Sequence, residues 1–186
     1  MAKKTGLWKD KAVYKILAPE NFDYKELGST VSSEPKLLLG RSVSVFLSDL
    51  LEDRSKQHLK LTFEISEIKE NAANTKLKEF SIVHAYLRSR MRKSMGKTDY
   101  VRDLQLQDSK VRMKIMVITP RKLRATQKKE VLDVISKTVD RYKGTKLEQF
   151  VQLIIFGKLG TEIYQKVKKI TPIHRVEVWE LKLLKV

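Results

Sequence analysis

The chain has 186 residues, a mass of 21.7 kDa and 41% hydrophobic residues, with seven glycines, four prolines and no cysteine. This size suits one domain with a sizeable core, or at most two small ones, and the composition excludes collagen-like, low-complexity and wholly disordered chains, disulfide frameworks and thiol catalysis. The net charge of +17, with a pI near 9.9, indicates an anionic partner: nucleic acid first, then an anionic membrane surface or an acidic protein.

Residues 1–12 are predicted to form a basic arm that carries Lys3 and Lys4, with Leu7 and Trp8 as candidates to anchor it. The basic start is not followed by the apolar run of a secretory signal, and no stretch of about 18 apolar residues occurs. We therefore expect a cytosolic protein with no membrane partner.

Strand patterns dominate the first part of the chain and recur in its middle. Residues 59–65 alternate apolar and polar side chains, and weaker strand patterns occur at 43–45 and 77–83. The clearest strand is 111–117, whose alternation predicts that Arg112 and Lys114 point outward.

The period changes to that of helices after residue 125. Thr126 is a plausible N-cap for a first helix that ends before Gly144. A second helix is predicted from Leu147 to a stop at Gly157, and a third from Thr161.

The tail, residues 173–184, returns to a strand pattern whose parity changes near Val178 and Trp179, which indicates a bulge. This order of elements predicts an α+β fold with a curved or barrel-like, mostly antiparallel sheet and about three helices in the C-terminal half. Without an internal repeat or a linker, residues 13–186 are predicted to form a single RNA-binding domain.

The excess positive charge is concentrated in one third of the chain. Residues 86–146 hold eighteen basic and six acidic residues, whereas residues 20–85 hold nine basic and eleven acidic ones. Because a solvated surface usually mixes its signs, the middle of the chain is the predicted binding region.

Two dense basic stretches lie within this region. In 87–93 a helix would place Leu87, Met91 and Met95 on one face and the arginines on another, and Gly96 would cap its C-terminus. Lys128 and Lys129 lie near a predicted helix N-terminus, where cations oppose the helix dipole and an external anion would be favourable. The residues predicted to bind RNA are Lys3, Lys4, Arg88, Arg90, Arg92, Lys93, Lys97, Arg112, Lys114, Arg121, Lys122, Arg124, Lys128, Lys129 and Arg175.

Three other patterns offer alternatives. Gly96-Lys97-Thr98 imitates the end of a phosphate-binding loop, but Met91 stands where the motif needs glycine. Gly157-Lys158-Leu159-Gly160 resembles the GxxG clamp of K-homology domains, which would make the protein a single-stranded RNA-binding module. Asp99, Asp103 and Asp108 could hold Mg²⁺ in an RNA-processing enzyme, although no motif specifies a reaction geometry.

Neither a metal nor an aromatic stacking platform is indicated by the sequence. The three histidines, His58, His84 and His174, show no ligand spacing, so we expect no metal and no cofactor. Aromatic residues in the basic region are sparse, so contacts with the backbone and shape of RNA are favoured over the stacking of splayed bases.

Several short segments follow one another in the order of a known family. They are Trp8 with 17–22 (LAPENF) and 28–30 (GST), then 39–43 (LGRSV) and 47–50 (LSDL), then 86–92 (YLRSRMR) and 124–127 (RATQ), and finally 170–178 (ITPIHRVEV). Together they resemble the archaeal and eukaryotic small-ribosomal-subunit protein family S-one-e, also called S-three-a-e. One departure is 105–110 (QLQDSK), where the family usually has Thr-Lys-Asp-Gly.

This resemblance implies a non-enzymatic, structural component of the small ribosomal subunit, in a compact archaeal or reduced form. It implies a place on the platform near the mRNA exit of the cytoplasmic ribosome, with ribosomal RNA and neighbouring ribosomal proteins as partners and mRNA nearby. No homo-oligomer is expected. The leading hypothesis is a ribosomal RNA-binding protein that supports translation by replacing the counterions of folded RNA with Arg and Lys side chains.

Overall fold

A computed structural model describes residues 11–184, and these residues fall into two compact units, 11–79 and 80–184. The predicted arm, with Lys3, Lys4, Leu7 and Trp8, lies almost wholly outside the described residues. The prediction of one domain over 13–186 stays a prediction.

The first unit is built on a sheet. Its elements are β1 (Ala12–Leu17), β2 (Glu26–Ser32), β3 (Ser42–Phe46), the short helix α1 (Leu47–Leu51), β4 (Leu59–Lys69) and most of β5 (Ala72–Ile82). The strand order is β2-β1-β5-β4-β3, with β1 parallel to β5 and antiparallel to β2. Every second residue of β4 from Leu59 to Ile65 is buried, as the alternation predicted.

The second unit packs helices on a sheet of antiparallel strands. Its elements are α2 (His84–Ser89), β6 (Gly96–Gln105), β7 (Lys110–Thr119), α3 (Ala125–Asp140), α4 (Leu147–Ile155), α5 (Lys158–Val167) and β8 (Arg175–Leu184). Strand β7 is central and antiparallel to both β6 and β8. Arg102 of β6 bonds Asp140 of α3, and Gly160 of α5 lies against β8, so these two helices cover one face of the sheet.

The predicted α+β class, the mostly antiparallel pairing and the three C-terminal helices are confirmed. In the residues described, β2 and β3 end the sheet of the first unit without pairing each other, so that sheet is open. The bulge in β8 is confirmed as well: Lys114 pairs with Glu180 and Ile115 with Val178, which leaves Trp179 as the extra residue.

Two helix starts differ from the prediction. Helix α3 begins at Ala125, with Arg124 rather than Thr126 at the N-cap, and the Gln127 side chain accepts a hydrogen bond from the Arg124 N–H. Helix α5 begins at Lys158 rather than Thr161, because Gly157 adopts a φ of 69° that turns the chain directly from α4 into α5.

The helix predicted around 87–95 is also wrong in its length. It ends at Ser89, and Gly96 begins strand β6 instead of capping a helix. Strand β6 gave no clear sequence signal because the residues that alternate toward the helices include Gly96, Thr98 and Arg102, which are not apolar.

The segment 105–110, which departs from the family pattern, forms the turn between β6 and β7. Gln105 pairs with Lys110, and the Leu106 N–H donates to the Ser109 carbonyl over 2.9 Å. The Gln107 N–H donates to the Thr145 carbonyl over 3.1 Å, which ties the turn to the loop after α3.

A polar network joins the end of α3 to α5. The Tyr142 hydroxyl donates to Glu162 over 2.6 Å, and Lys166 bonds the same carboxylate. This hydrogen bond, together with burial, raises the pKa of Tyr142 to about 12. Burial alone would raise the pKa of Glu162, but its bonds to Lys166 and Tyr142 outweigh burial and lower it.

We expect Tyr142→Phe to destabilise the protein by about 1.5–3 kcal/mol at pH 7, the range of a hydrogen bond to a charged group. Because the neutral phenol is favoured in the fold, its stabilisation is complete below the unfolded pKa, about 10, and is lost as pH rises toward the folded pKa of about 12. Urea denaturation of both proteins at pH 7 and near pH 12 measures this. If the difference in free energy of unfolding between the wild type and Tyr142→Phe does not become smaller as pH rises, the hydrogen bond from Tyr142 to Glu162 is contradicted.

Candidate nucleic-acid interface

The start of β6 and the end of β7 meet at one end of the second unit's sheet. Gly96 pairs with Thr119 in the antiparallel register, so the chain enters β6 where it leaves β7. A Cβ on Gly96 would lie 2.6 Å from the Arg121 carbonyl oxygen and 2.9 Å from the Lys122 Cα. Only glycine permits this approach of the two chain segments.

This contact brings together the two basic stretches that the sequence singled out. The segment 88–93 leads into Gly96, and the segment 121–129 follows Thr119 and continues into the first turn of α3. We call the following nine residues the basic end: Arg88, Arg90, Arg92, Lys93, Arg121, Lys122, Arg124, Lys128 and Lys129.

The basic end is exposed, and its cations form no ion pairs in the part of the chain that the structure describes. All nine residues are exposed, and within residues 11–184 none of them forms an ion pair with a carboxylate. The first turn of α3 holds no acidic residue, so Lys128 and Lys129 oppose the helix dipole without local compensation. This end of the sheet can therefore accept several phosphate groups.

One tyrosine contacts an arginine of the basic end and a second arginine beside it. The Arg90 guanidinium lies 4.9 Å from the centre of the Tyr86 ring, and the Tyr86 hydroxyl accepts a hydrogen bond of 2.6 Å from Arg175. Arg175 also pairs with Glu177 over 3.3 Å. Burial raises the pKa of Glu177, against the effect of Arg175 and Arg90. Half-buried and bonded on two sides, Arg175 thus supports Tyr86 rather than projecting into solvent.

Lys97 lies at the same end but bonds Asp99 over 2.9 Å. Arg112 and Lys114 share the sheet face that alternation predicted, yet they lie about 23 Å and 17 Å along β7 from Thr119. Arg112 donates two hydrogen bonds, of 2.7 and 3.0 Å, to the Asp103 carboxylate, and these bonds lower the pKa of Asp103. Lys114 pairs with Glu180 over 2.8 Å. These cations are neutralised by strand neighbours.

The geometry does not assemble the alternative sites. Asp99 and Asp103 face Lys97 and Arg112, and the described part of the chain holds no group of three or more carboxylates and histidines suited to a metal. The alternative of a GxxG clamp at 157–160 is not supported: only Phe156 and Gly157 separate α4 from α5, Gly160 lies within α5, and Leu159 is fully buried.

The sequence did not indicate that two aromatic side chains, Trp179 and His84, lie together beside the basic end. Trp179 lies in β8, far along the chain from the arginines, and its ring centre is 5.7 Å from that of His84 on α2. The parity change at Val178 and Trp179 was the only signal that this tryptophan lies out of step with its strand.

The fold and the basic end define the class: a basic α+β protein in which one end of a small sheet presents exposed cations that form no ion pair within residues 11–184. Within 11–184, no helix combines the length and the hydropathy needed to span a bilayer.

Comparison with known proteins gives the family. The sequence pattern of the Ribosomal S3Ae family matches residues 1–186, and the chain belongs to this family. It is 35% identical over 179 residues to the small ribosomal subunit protein eS1 of Methanobrevibacter smithii, covering 95% of this chain and 93% of that protein. It is 32% identical to the eS1 proteins of Haloarcula marismortui, over 89% of this chain and 78% of that one, and Methanothermobacter thermautotrophicus, over 95% and 92%.

Family membership confirms the resemblance that the ordered segments indicated. The chain is a structural ribosomal protein of the small subunit rather than an enzyme, and as such it takes part in translation within a ribonucleoprotein.

The close approach at Gly96 makes a sharp prediction. Gly96→Ala forces the backbone of β6 away from Arg121, so we expect a loss of about 1–3 kcal/mol in the free energy of unfolding, the usual cost of overpacking. Urea denaturation measures it. The matched control is Gly160→Ala, where the new Cβ meets an ordinary contact of 3.4 Å and α5 should gain up to about 1 kcal/mol.

If the two substitutions change the free energy of unfolding equally, the close contact between Gly96 and Arg121 is contradicted. Gly160→Ala also tests the rejected clamp, since it should leave RNA affinity unchanged.

Proposed function

We propose that the protein binds the ribosomal RNA of the small subunit through the basic end. The observation that carries this proposal is the convergence of nine exposed cations, without a carboxylate partner within residues 11–184, on one end of the β6–β7 pair. Membership of a family of small-subunit ribosomal proteins supplies a polyanion of matching charge.

The binding mechanism follows from the chemistry of the two side chains. The planar guanidinium groups of Arg88, Arg90 and Arg92 can each bind two phosphate oxygens, and the lysines act as mobile point charges. Each contact releases counterions from the RNA, so affinity falls steeply with salt. Phosphate contacts of this kind follow the shape of folded RNA rather than its sequence.

The first unit lacks the excess positive charge of the basic end, which suits contact with proteins. Residues 11–79 carry eleven basic and eleven acidic residues, and six large apolar side chains are exposed there: Val13, Tyr24, Leu37, Leu39, Phe46 and Leu51. We place neighbouring ribosomal proteins on this unit, because exposed apolar side chains favour protein contacts.

The remaining details of the proposal rest on the family resemblance. They are a position on the platform near the mRNA exit of the cytoplasmic ribosome, proximity to mRNA and a monomeric state. The basic charge of the arm adds RNA contacts by Lys3 and Lys4 to the proposal. Lys97, Arg112, Lys114 and Arg175 would contact RNA only after exchanging a carboxylate for phosphate, so we assign the main role to the basic end.

Charge reversal tests the proposal. We expect Arg88→Glu, Arg90→Glu and Arg92→Glu together to reduce incorporation into small subunits and to lower the salt concentration at which the protein leaves them. Each lost phosphate contact should reduce the slope of log affinity against log salt by about 1. The measurement is co-sedimentation with small subunits across a salt series.

The control matches the charge change and the exposure. Lys36→Glu, Lys69→Glu and Lys76→Glu reverse three exposed lysines of the first unit and should leave the salt slope unchanged. Unchanged incorporation and salt resistance in the triple-arginine variant would refute the proposal.

A further inference from the structure

A small cleft opens beside the basic end, between α2 and the sheet. It has a volume of about 180 Å³ and is lined mainly by His84, Leu87 and Met91 from the α2 region and by Met116 and Trp179 from the strands, with Arg88 and Lys97 also on its wall. Its interior is apolar and aromatic, whereas the two cations on its wall belong to the electropositive end of the unit.

The indole in this cleft is held in place before any ligand arrives. The Lys114 ammonium lies 4.9 Å from the centre of the Trp179 ring, a cation–π contact, and Glu180 fixes that ammonium at 2.8 Å. The bulge at Trp179 takes this residue out of the alternation of β8, and His84 stands 5.7 Å away on α2. A ring fixed in this way loses little further freedom when another ring stacks on it.

We propose that this cleft takes a single unstacked nucleobase of the bound RNA, which stacks on Trp179 while its phosphate binds Arg88. This inference rests on the proposed RNA binding and adds a preference for an unpaired nucleotide to it. The occupant follows from charge: an apolar slot with the exposed Arg88 on its wall, next to the other exposed cations of the basic end, matches a flat aromatic ring attached to a phosphate.

The proposal changes what the RNA surface can recognise. The basic end alone contacts phosphates and binds double-stranded and single-stranded RNA alike. The cleft adds a site that a continuous duplex cannot fill, because its bases remain stacked and paired. The protein should therefore prefer RNA with an unpaired base, such as a bulge or a single-stranded segment.

The experiment uses the full chain with Trp8→Phe, which leaves Trp179 as the single tryptophan. Two fluorescein-labelled probes are titrated: a single-stranded uridine 20-mer, and the duplex of that strand with its adenosine complement. Anisotropy of the label measures binding, and tryptophan emission at saturation reports stacking. We expect both probes to bind, and only the single strand to quench Trp179 emission strongly.

A second variant measures how much stacking on Trp179 contributes to the affinity for single-stranded RNA. Trp179→Leu keeps an apolar side chain in the bulge, and circular dichroism checks that it folds. We expect its affinity for the uridine 20-mer to fall about tenfold or more while its affinity for the duplex stays within about twofold.

The outcomes separate this proposal from the one on which it rests. If both probes bind and neither quenches Trp179 emission, base insertion is overturned while RNA binding stands. This result is expected if a protein side chain fills the cleft instead. If neither probe binds, the proposed function and base insertion are both overturned.

Discussion

The backbone contact at Gly96 is the constraint on which the site depends. With no Cβ at this position, the start of β6 lies directly against Arg121 and Lys122, and the register with Thr119 follows. Two basic stretches that are separate in the sequence therefore leave the sheet at one end. A side chain here would force these two segments to move apart.

The second unit treats its cations in two different ways. Along the strands, Arg112 and Lys114 bond carboxylates of neighbouring strands, which lowers the repulsion within the sheet. At the basic end, the cations are exposed and without a carboxylate partner within residues 11–184. Their mutual repulsion is a cost to the free protein that a bound polyanion would relieve, so binding of a polyanion at this end would also stabilise the protein.

Much of the fold was predictable because its signals are periodic. Alternation located β4 and β7, helical spacing located α3 and α4, and a parity change located the bulge at Trp179. Strand β6 was missed because Thr98 and Arg102 take inward positions that usually hold apolar residues. The two basic clusters were evident from composition, but the ion pairs of Arg112 and Lys114, the bonds of Arg175 and the place of Trp179 beside α2 depend on strand register and tertiary packing, which composition does not encode.

The central claim is that the basic end, and not the first unit, faces ribosomal RNA. Acetylation of lysines in intact small subunits, read by mass spectrometry against the free protein, tests it most directly. The account predicts strong protection of Lys93, Lys122, Lys128 and Lys129, with reactivity restored when the RNA is digested. If these four lysines react in the subunit as fast as in the free protein, the account is contradicted.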